Sequence, residues 1–488
     1  MWRSALEPDE ATLRAWIQDV AEVALRQLRG LETRAATGIM GRAAQELAAR
    51  LSEPIAEQPH PGGLPHLLSV VERAADAALV TPGPGYLAYV PGGGLVSAGL
   101  ADWLAAWLNR YLGLSAASPA LARLEADALR FLAGEFGWGA GARGVFTTGG
   151  STANLCAVVT ARHHVLGDTG DYRRALVYVS HQVHHSVAKS VRLAGVPARN
   201  VVSLPTDTRL RLQPRALRAR LDADRAEGAQ PFLVVSSAGS INTGAVDPFD
   251  EIGDIAASAG LWHHVDGAYG GAFVLCAEGR ERLAGISRAD SITFDPHKGM
   301  FFPYGTGCLL VREGEHLRRA HSLSAEYLRD FEADAAGDHV PSPSDYGLEL
   351  SRESRGLRVW LSLMLFGAQA FRDALTEKLE LAEHFCERLA ERIEQGLAAE
   401  IVQRPQLTTV AFRLRRRPSE TLDAYNARNA AWLSAINARG RVFLSSTRLP
   451  GPDGMLLTLR VCILSLRTHQ ERVDACLEDL ELTSREVA

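Results

Sequence analysis

The chain has no uninterrupted apolar run of about 18 residues, the length a helix needs to cross a bilayer. No membrane partner is therefore expected. Its opening residues, Met-Trp-Arg-Ser-Ala-Leu-Glu-Pro, lack the apolar core of a secretory signal. Cysteine is sparse: Cys156, Cys276, Cys308, Cys386, Cys462 and Cys476 are scattered through 488 residues with no C-x-x-C pair. That argues against a zinc ribbon or a disulfide framework and for reduced thiols in a cytoplasmic protein. An excess of positive charge is also missing. Lys+Arg is 52 and Asp+Glu is 57, a net charge of −5, so no nucleic-acid partner is expected. There is no Walker A loop, no G-x-S-x-G elbow and no H-E-x-x-H pair. Gly139-Ala-Gly141-Ala-Arg-Gly144 matches G-x-G-x-x-G, but it precedes an apolar run, whereas the dinucleotide fingerprint follows one.

The remaining composition, 47% hydrophobic and 22% charged, is that of a globular protein large enough to bury a sizeable core. Leu13, Ile17, Val20 and Ala24 recur at helical spacing near the start. Prolines and glycines then cluster at 54–65 and again at 81–94, which predicts ordered loops. Tyr86 and Tyr89 in the second cluster either face a ligand or pack the loop down. Seven short apolar runs follow, at 145–147, 175–179, 201–204, 232–236, 261–265, 292–294 and 308–311, separated by helix-sized gaps. This pattern predicts an α/β domain with a mainly parallel sheet covered on both faces, whose ligand lies beyond the carboxyl ends of the strands. Residues 325–348 are polar and without periodicity, as in a functional lid or a disordered piece. Helices are expected at 357–371 and 374–397. Apolar runs at 408–412 and 455–462 suggest a small α+β domain. The expected division is a helical segment 1–80, a large domain 81–370 and a small domain 371–488.

Four motifs stand just after those runs. Asp295-Pro-His297-Lys298 places a lysine behind a buried strand, where its pKa shifts readily and imine chemistry is favoured; a surface turn is the bland alternative. His264-Val-Asp266-Gly-Ala268 ends a strand on a carboxylate, suited to a protonated pyridine nitrogen or, alternatively, to capping a helix. Gly149-Gly150-Ser151-Thr152 opens an apolar helix, as a phosphate cradle or as a simple cap. Ser180-His-Gln-Val-His184-His185 follows another strand, and an imidazole there stacks on a flat ring or shuttles protons. His-His pairs also occur at 163/164 and 263/264, but no accompanying ligand pattern points to a metal. An imine lysine, a ring-nitrogen carboxylate, a phosphate cradle and a stacking histidine together are what one ligand needs: pyridoxal 5′-phosphate (PLP).

On these motifs, over roughly residues 82–480, the chain resembles the group II PLP-dependent amino-acid decarboxylases, among them aromatic-L-amino-acid, glutamate and tyrosine decarboxylases. The resemblance implies a type I aminotransferase-like fold and an obligate homodimer with active sites at the subunit interface and N-terminal helices wrapping the partner. It implies that Lys298 carries the cofactor covalently and that His297, Gly150 and Ser151 contact its phosphate. Asp266 and Ala268 then hold the pyridine ring, and His184 stacks on it. Ser240 sits where relatives usually carry threonine, and Arg355 matches an arginine near the cofactor. Tyr89 and Arg355 are the candidate substrate contacts, the first for an apolar or aromatic side chain, the second for an acidic one. The expected reaction is α-decarboxylation of an L-amino acid to amine and carbon dioxide, with Lys298 and His184 as catalytic residues and 326–346 closing over the site. The alternatives are decarboxylation coupled to oxidative deamination, giving an aldehyde, or another carbon–carbon lyase reaction. The aldehyde route arises because the tyrosine many relatives carry in that loop aligns near Pro343, with Tyr327 and Tyr346 out of register. A catalytically dead, interaction-only member of the fold is a further alternative, and the occupied cofactor positions argue against it.

Overall fold

The computed structural model describes residues 6–168, 171–322 and 341–487. Three helices come first: α1 (Glu10–Arg29), α2 (Gly41–Leu51) and α3 (Gly63–Ala77). None of the three buries a residue within the chain. α1 and α3 are tied by the Arg26–Glu72 ion pair at 3.0 Å. Pro65, one of the prolines read as a breaker, is accommodated in the first turn of α3, where a missing N–H costs nothing. α4 (Val96–Leu108) and α5 (Pro119–Glu135) lead into the large domain.

All seven apolar runs are strands: β1 (Arg143–Thr147), β2 (Ala175–Ser180), β3 (Val201–Leu204), β4 (Gln230–Ser237), β5 (Trp262–Gly267), β6 (Ser291–Phe294) and β7 (Gly307–Val311). They form one sheet in the order β1-β7-β6-β5-β4-β2-β3. Pairs among β2 to β6 are parallel, while β7 runs against both β1 and β6. β1 therefore points the same way as β6, and the carboxyl ends of β1, β2, β4, β5 and β6 share one edge. Strands β5, β6 and β7 are buried along their whole length, as expected of a sheet sandwiched between helices. Those helices include α6 (Gly150–Leu166), α7 (His185–Leu193), α8 (Pro214–Ala226) and α9 (Phe249–Ala259).

A second, antiparallel sheet, β10-β11-β9-β8, belongs to the small C-terminal unit. Its strands are β8 (Ala399–Gln403), β9 (Thr409–Leu414), β10 (Ser445–Gly451) and β11 (Gly454–Cys462). The apolar runs marked β9 and β11. β8 and β10 lie at the sheet edges and are only partly buried, so no continuous apolar run reveals them. The helix Arg355–Glu394 joins the two units and is broken at Gly367, with φ 73° and ψ 160°. The expected break at 371–374 is thus displaced to the residue that adopts positive φ without strain. Of the expected 326–346 lid, residues 326–340, including Tyr327, lie outside the described residues. The described end is a helical turn, Pro343–Tyr346, in which both named residues are buried.

The glycine-rich stretch is pinned from both sides. Leu87 is part of the small unit's core, and the Leu95 N–H donates to Phe301 O at 2.8 Å. A Cβ on Gly93 would lie 2.2 Å from Phe301 Cα, so only glycine permits this approach. Gly307 opens β7 just as closely against the start of α6, its notional Cβ 2.4 Å from Gly149 Cα. Gly307→Ala is expected to cost about 1–3 kcal/mol by overpacking. A thermal melt of the variant checks this, and an unchanged midpoint would show that the contact yields.

Candidate active site

A cavity of about 290 Å³ opens at the shared carboxyl edge of the sheet. β1 ends in the turn to α6, whose N-cap is Gly149 with no side-chain cap. The Thr152 and Ala153 N–H groups return to Gly149 O. Those of Gly150 and Ser151 have no partner among the described residues. Both residues line the cavity, and free N–H groups at the positive end of a helix dipole favour an anion. His184, beyond β2, and Ser240, beyond β4, line the same space. Asp266 and Ala268 come from the end of β5, and Asp295, His297 and Lys298 from the end of β6.

Asp266 is 8% exposed. Its Oδ2 accepts from Asn154 Nδ2 at 3.0 Å and its Oδ1 from the Ala268 N–H at 3.2 Å. The helix-cap alternative fails, because the turn that follows, Gly270–Leu275, is preceded by Tyr269 and has no side-chain cap. The Lys298 Nζ lies 2.9 Å from Asp295 Oδ2, and its side chain is 24% exposed. Burial pulls the lysine pKa down, but the Asp295 and Asp266 carboxylates outweigh it, and the net shift is upward. Lysine and carboxylate thus face one cavity across the end of the sheet, as a pyridoxal reading requires.

The two imidazoles differ in environment. His297 Nδ1 lies 2.8 Å from Thr306 O, so it carries a proton and donates. A Cβ on Gly149 would lie 3.5 Å from His297 Cε1, which places this ring beside the phosphate cradle. His184 caps α7, its Nδ1 accepting the Ser186 N–H at 3.2 Å. Burial holds the pKa of both rings below the ordinary histidine value. The residues fit the cofactor most clearly at Gly150. A Cβ there would lie 2.9 Å from Asp295 Oδ2 and 3.1 Å from Ala268 Cβ. A side chain would fill the cradle, and glycine leaves it open for the phosphate and ring.

Two expected site residues are not brought in. Arg355 is absent from the cavity wall; its guanidinium is engaged by Glu349 and by Glu353, the latter at 3.1 Å. The carboxylates beside it in sequence capture it first. Tyr89 is also off the cavity wall, 55% exposed, with φ 51°, its N–H donating to Ser445 Oγ at 3.0 Å. Tyr86 packs instead of facing a ligand, stacked on Phe443 at 5.9 Å. Three polar residues went unassigned in the sequence: Asn154, Ser186 and Asp295. Asn154 stands one helical turn beyond Gly150 and Asp295 three residues before Lys298, and that spacing is the only signal either gave.

Residues 50–415 match the pyridoxal-dependent decarboxylase conserved domain. An aromatic-L-amino-acid decarboxylase of Bacillus atrophaeus is 34% identical over 405 residues, 83% of this chain and 82% of its own. A phenylacetaldehyde synthase of Arabidopsis thaliana is 30% identical over 447 residues, 86% and 89% of the two chains. Among solved structures, Oryza sativa TDC with PLP and tryptamine superposes with a TM-score of 0.89 at 24% identity, covering 99% of each chain, a likeness of fold. The architecture is thus the type I aminotransferase-like one, and PLP is the cofactor. A family match over this much of the sequence identifies the chain: it belongs to the pyridoxal-dependent decarboxylases and is a PLP-dependent amino-acid decarboxylase.

Proposed function

We propose that the substrate is an aromatic or similarly apolar L-amino acid, released as its amine, and that the enzyme works as a homodimer in the cytoplasm. The observation that carries the site assignment is the single cavity shared by Lys298 and Asp266. Lys298 is proposed as the covalent anchor of the cofactor and Asp266 as the group that keeps its ring nitrogen protonated. Gly150, Ser151 and His297 would hold the phosphate, Ser240 a further polar edge, and Ala268 and His184 the two faces of the ring. The bound cofactor supplies an electron sink for the pair left when carbon dioxide departs. His184 excludes water from one face and holds its proton close to the reacting carbon. The occupied state of Arg355 argues against an acidic substrate, and the name of the Bacillus relative supports an aromatic one.

Lys298→Ala is expected to lose turnover by several orders of magnitude and to lose the visible band that borohydride fixes in the parent protein. Peptide mapping after borohydride treatment locates the label; normal turnover by the variant would overturn the assignment.

A second reading keeps the cofactor and changes the product. The loop tyrosine of relatives aligns near Pro343, and Tyr346 is buried in the core cluster that includes Val145 and Leu309 and does not line the cavity. The Arabidopsis relative is named for an aldehyde product. On that route amino acid, oxygen and water give aldehyde, carbon dioxide, ammonia and hydrogen peroxide. Oxygen uptake, peroxide and amine measured with phenylalanine, tyrosine and tryptophan separate the two. Amine without oxygen uptake supports the first reading, and equimolar aldehyde and peroxide supports the second.

The dimer is supported by apolar surface. Leu100, Leu104 and Trp107 of α4 are exposed beside Met364, Leu365 and Phe366 of the helix it packs on, the two being joined by a 2.8 Å Ser97–Ser362 hydroxyl contact. Patches of this kind mark interfaces. With no residue of α1 to α3 fully buried in its own chain, a second copy is the proposed cover. The six cysteines are free and buried, which supports a reducing compartment. The divisions 1–80, 81–370 and 371–488 are retained as proposed domain limits. Light scattering is expected to give twice the chain mass, and Trp107→Glu with Phe366→Glu to give monomer; a monomeric parent protein would refute the dimer.

A further inference from the structure

The cofactor-facing carboxylate and the stacking histidine are connected through one buried side chain. Asn154, 1% exposed, reaches into the space between α6 and the sheet. Its Nδ2 donates to Asp266 Oδ2 and to Ser186 Oγ, both at 3.0 Å. Its Oδ1 accepts from Thr293 Oγ1 at 2.7 Å and lies 3.0 Å from His264 Nε2. Trp262, His264 and Asp266 alternate along one face of β5, and Ser291 and Thr293 along the neighbouring face of β6. The contacts thus form a ladder that climbs the sheet beneath α6.

We propose that Asn154 is a positioning residue that orients the Asp266 carboxylate and, through Ser186, fixes which nitrogen of His184 carries the proton. Direction follows from groups that have no choice. An ionised carboxylate only accepts, so the amide nitrogen of Asn154, and not its oxygen, faces Asp266. The second N–H of that nitrogen goes to Ser186 Oγ. The Ser186 hydroxyl is then free to donate to His184 Nδ1, 2.7 Å away. The Ser186 backbone N–H donates to the same nitrogen. Two donors on Nδ1 leave the His184 proton on Nε2. The far end agrees. Trp262 Nε1 only donates, to Ser291 Oγ at 2.8 Å, and Ser291 then donates to His264 Nδ1 at 2.8 Å. That leaves the His264 Nε2–H for Asn154 Oδ1. Burial keeps His264 neutral, its pKa pushed down to about 4, so the ring has one N–H and one acceptor as this arrangement needs. His184 consequently presents a fixed N–H donor, held through Ser186 by the same amide that orients Asp266.

This inference rests on the roles proposed for Asp266 and His184, and its test is separable from theirs. PLP is titrated into apoprotein and followed by absorbance, with thermal melts of each apo variant alongside. Asn154→Ala is expected to bind PLP about 10- to 100-fold more weakly, the loss of one hydrogen bond to a charge, and to melt lower, since it leaves its buried partners unpaired. Thr293→Val, which removes one of the two donors to Asn154 Oδ1 while keeping shape, is expected to weaken PLP several-fold and stands in if Asn154→Ala fails to fold. Ser186→Ala is expected to bind PLP normally but to lose kcat about tenfold with KM little changed, and Ser186→Thr to restore it. Unchanged PLP affinity in both Asn154→Ala and Thr293→Val would overturn the role of Asn154. An unchanged kcat in Ser186→Ala would overturn the link to His184. If Lys298→Ala turned over normally, the site assignment itself would fall, whatever these variants did.

Discussion

Burying a carboxylate at the end of a strand demands positive charge in return, and the site is organised around that demand. Asp266 ends β5 nearly out of contact with water. Its neighbours supply two N–H donors, and the next strand brings Lys298 to the same cavity. A protonated pyridine nitrogen is the partner proposed to complete the pairing when the cofactor is bound. Register is what makes this work. β5 and β6 are parallel and paired from His264 with Ser291 to Gly267 with Phe294, so the residues beyond each strand emerge side by side. One residue of slip would turn Asp266 to the other face of the sheet and dissolve the site.

Much of this was legible in the amino-acid order. Continuous apolar runs with helix-sized gaps marked all seven strands of the main sheet, because the central strands are buried on both faces and even the edge strands β1 and β3 keep a mostly apolar run. The rule that ligands sit beyond strand carboxyl ends singles out Gly150, His184, Asp266 and Lys298, whereas Ser240 came only from the family resemblance; all five line the one cavity. What stayed hidden has physical reasons. β8 and β10 are edge strands, and edges carry polar residues, so their pattern merges with that of loops. The long helix breaks at Gly367 and not near 371–374, because periodicity continues across the break while the backbone does not.

Individual side chains were harder to place than elements. Arg355 lies at the first turn of a helix beside Glu349 and Glu353, and its charge is satisfied before it can reach the cavity. Tyr86 and Tyr89 are three residues apart in one loop, yet one is packed on Phe443 and the other exposed, since the loop takes positive φ at Tyr89. Asn154 gave no motif of its own. Its importance comes from three-dimensional convergence of β5, β6 and α7 on one amide, which spacing along the chain does not encode.

The break at Gly367 has one further effect. An unbroken helix would lock the angular phase of its two ends, each residue advancing the apolar stripe by about 100°. Here the first segment meets the large unit's core through Val359, and the second packs on that same core through Phe371, Leu375 and Leu379 before meeting the small unit's core through Phe385 and Leu389. The left-handed residue between them resets that phase, and nothing lies within 4 Å of its notional Cβ, so the requirement is one of torsion and not of room. The second segment, continuous across both cores, thereby keeps them in one phase, while the first segment sets its own stripe independently.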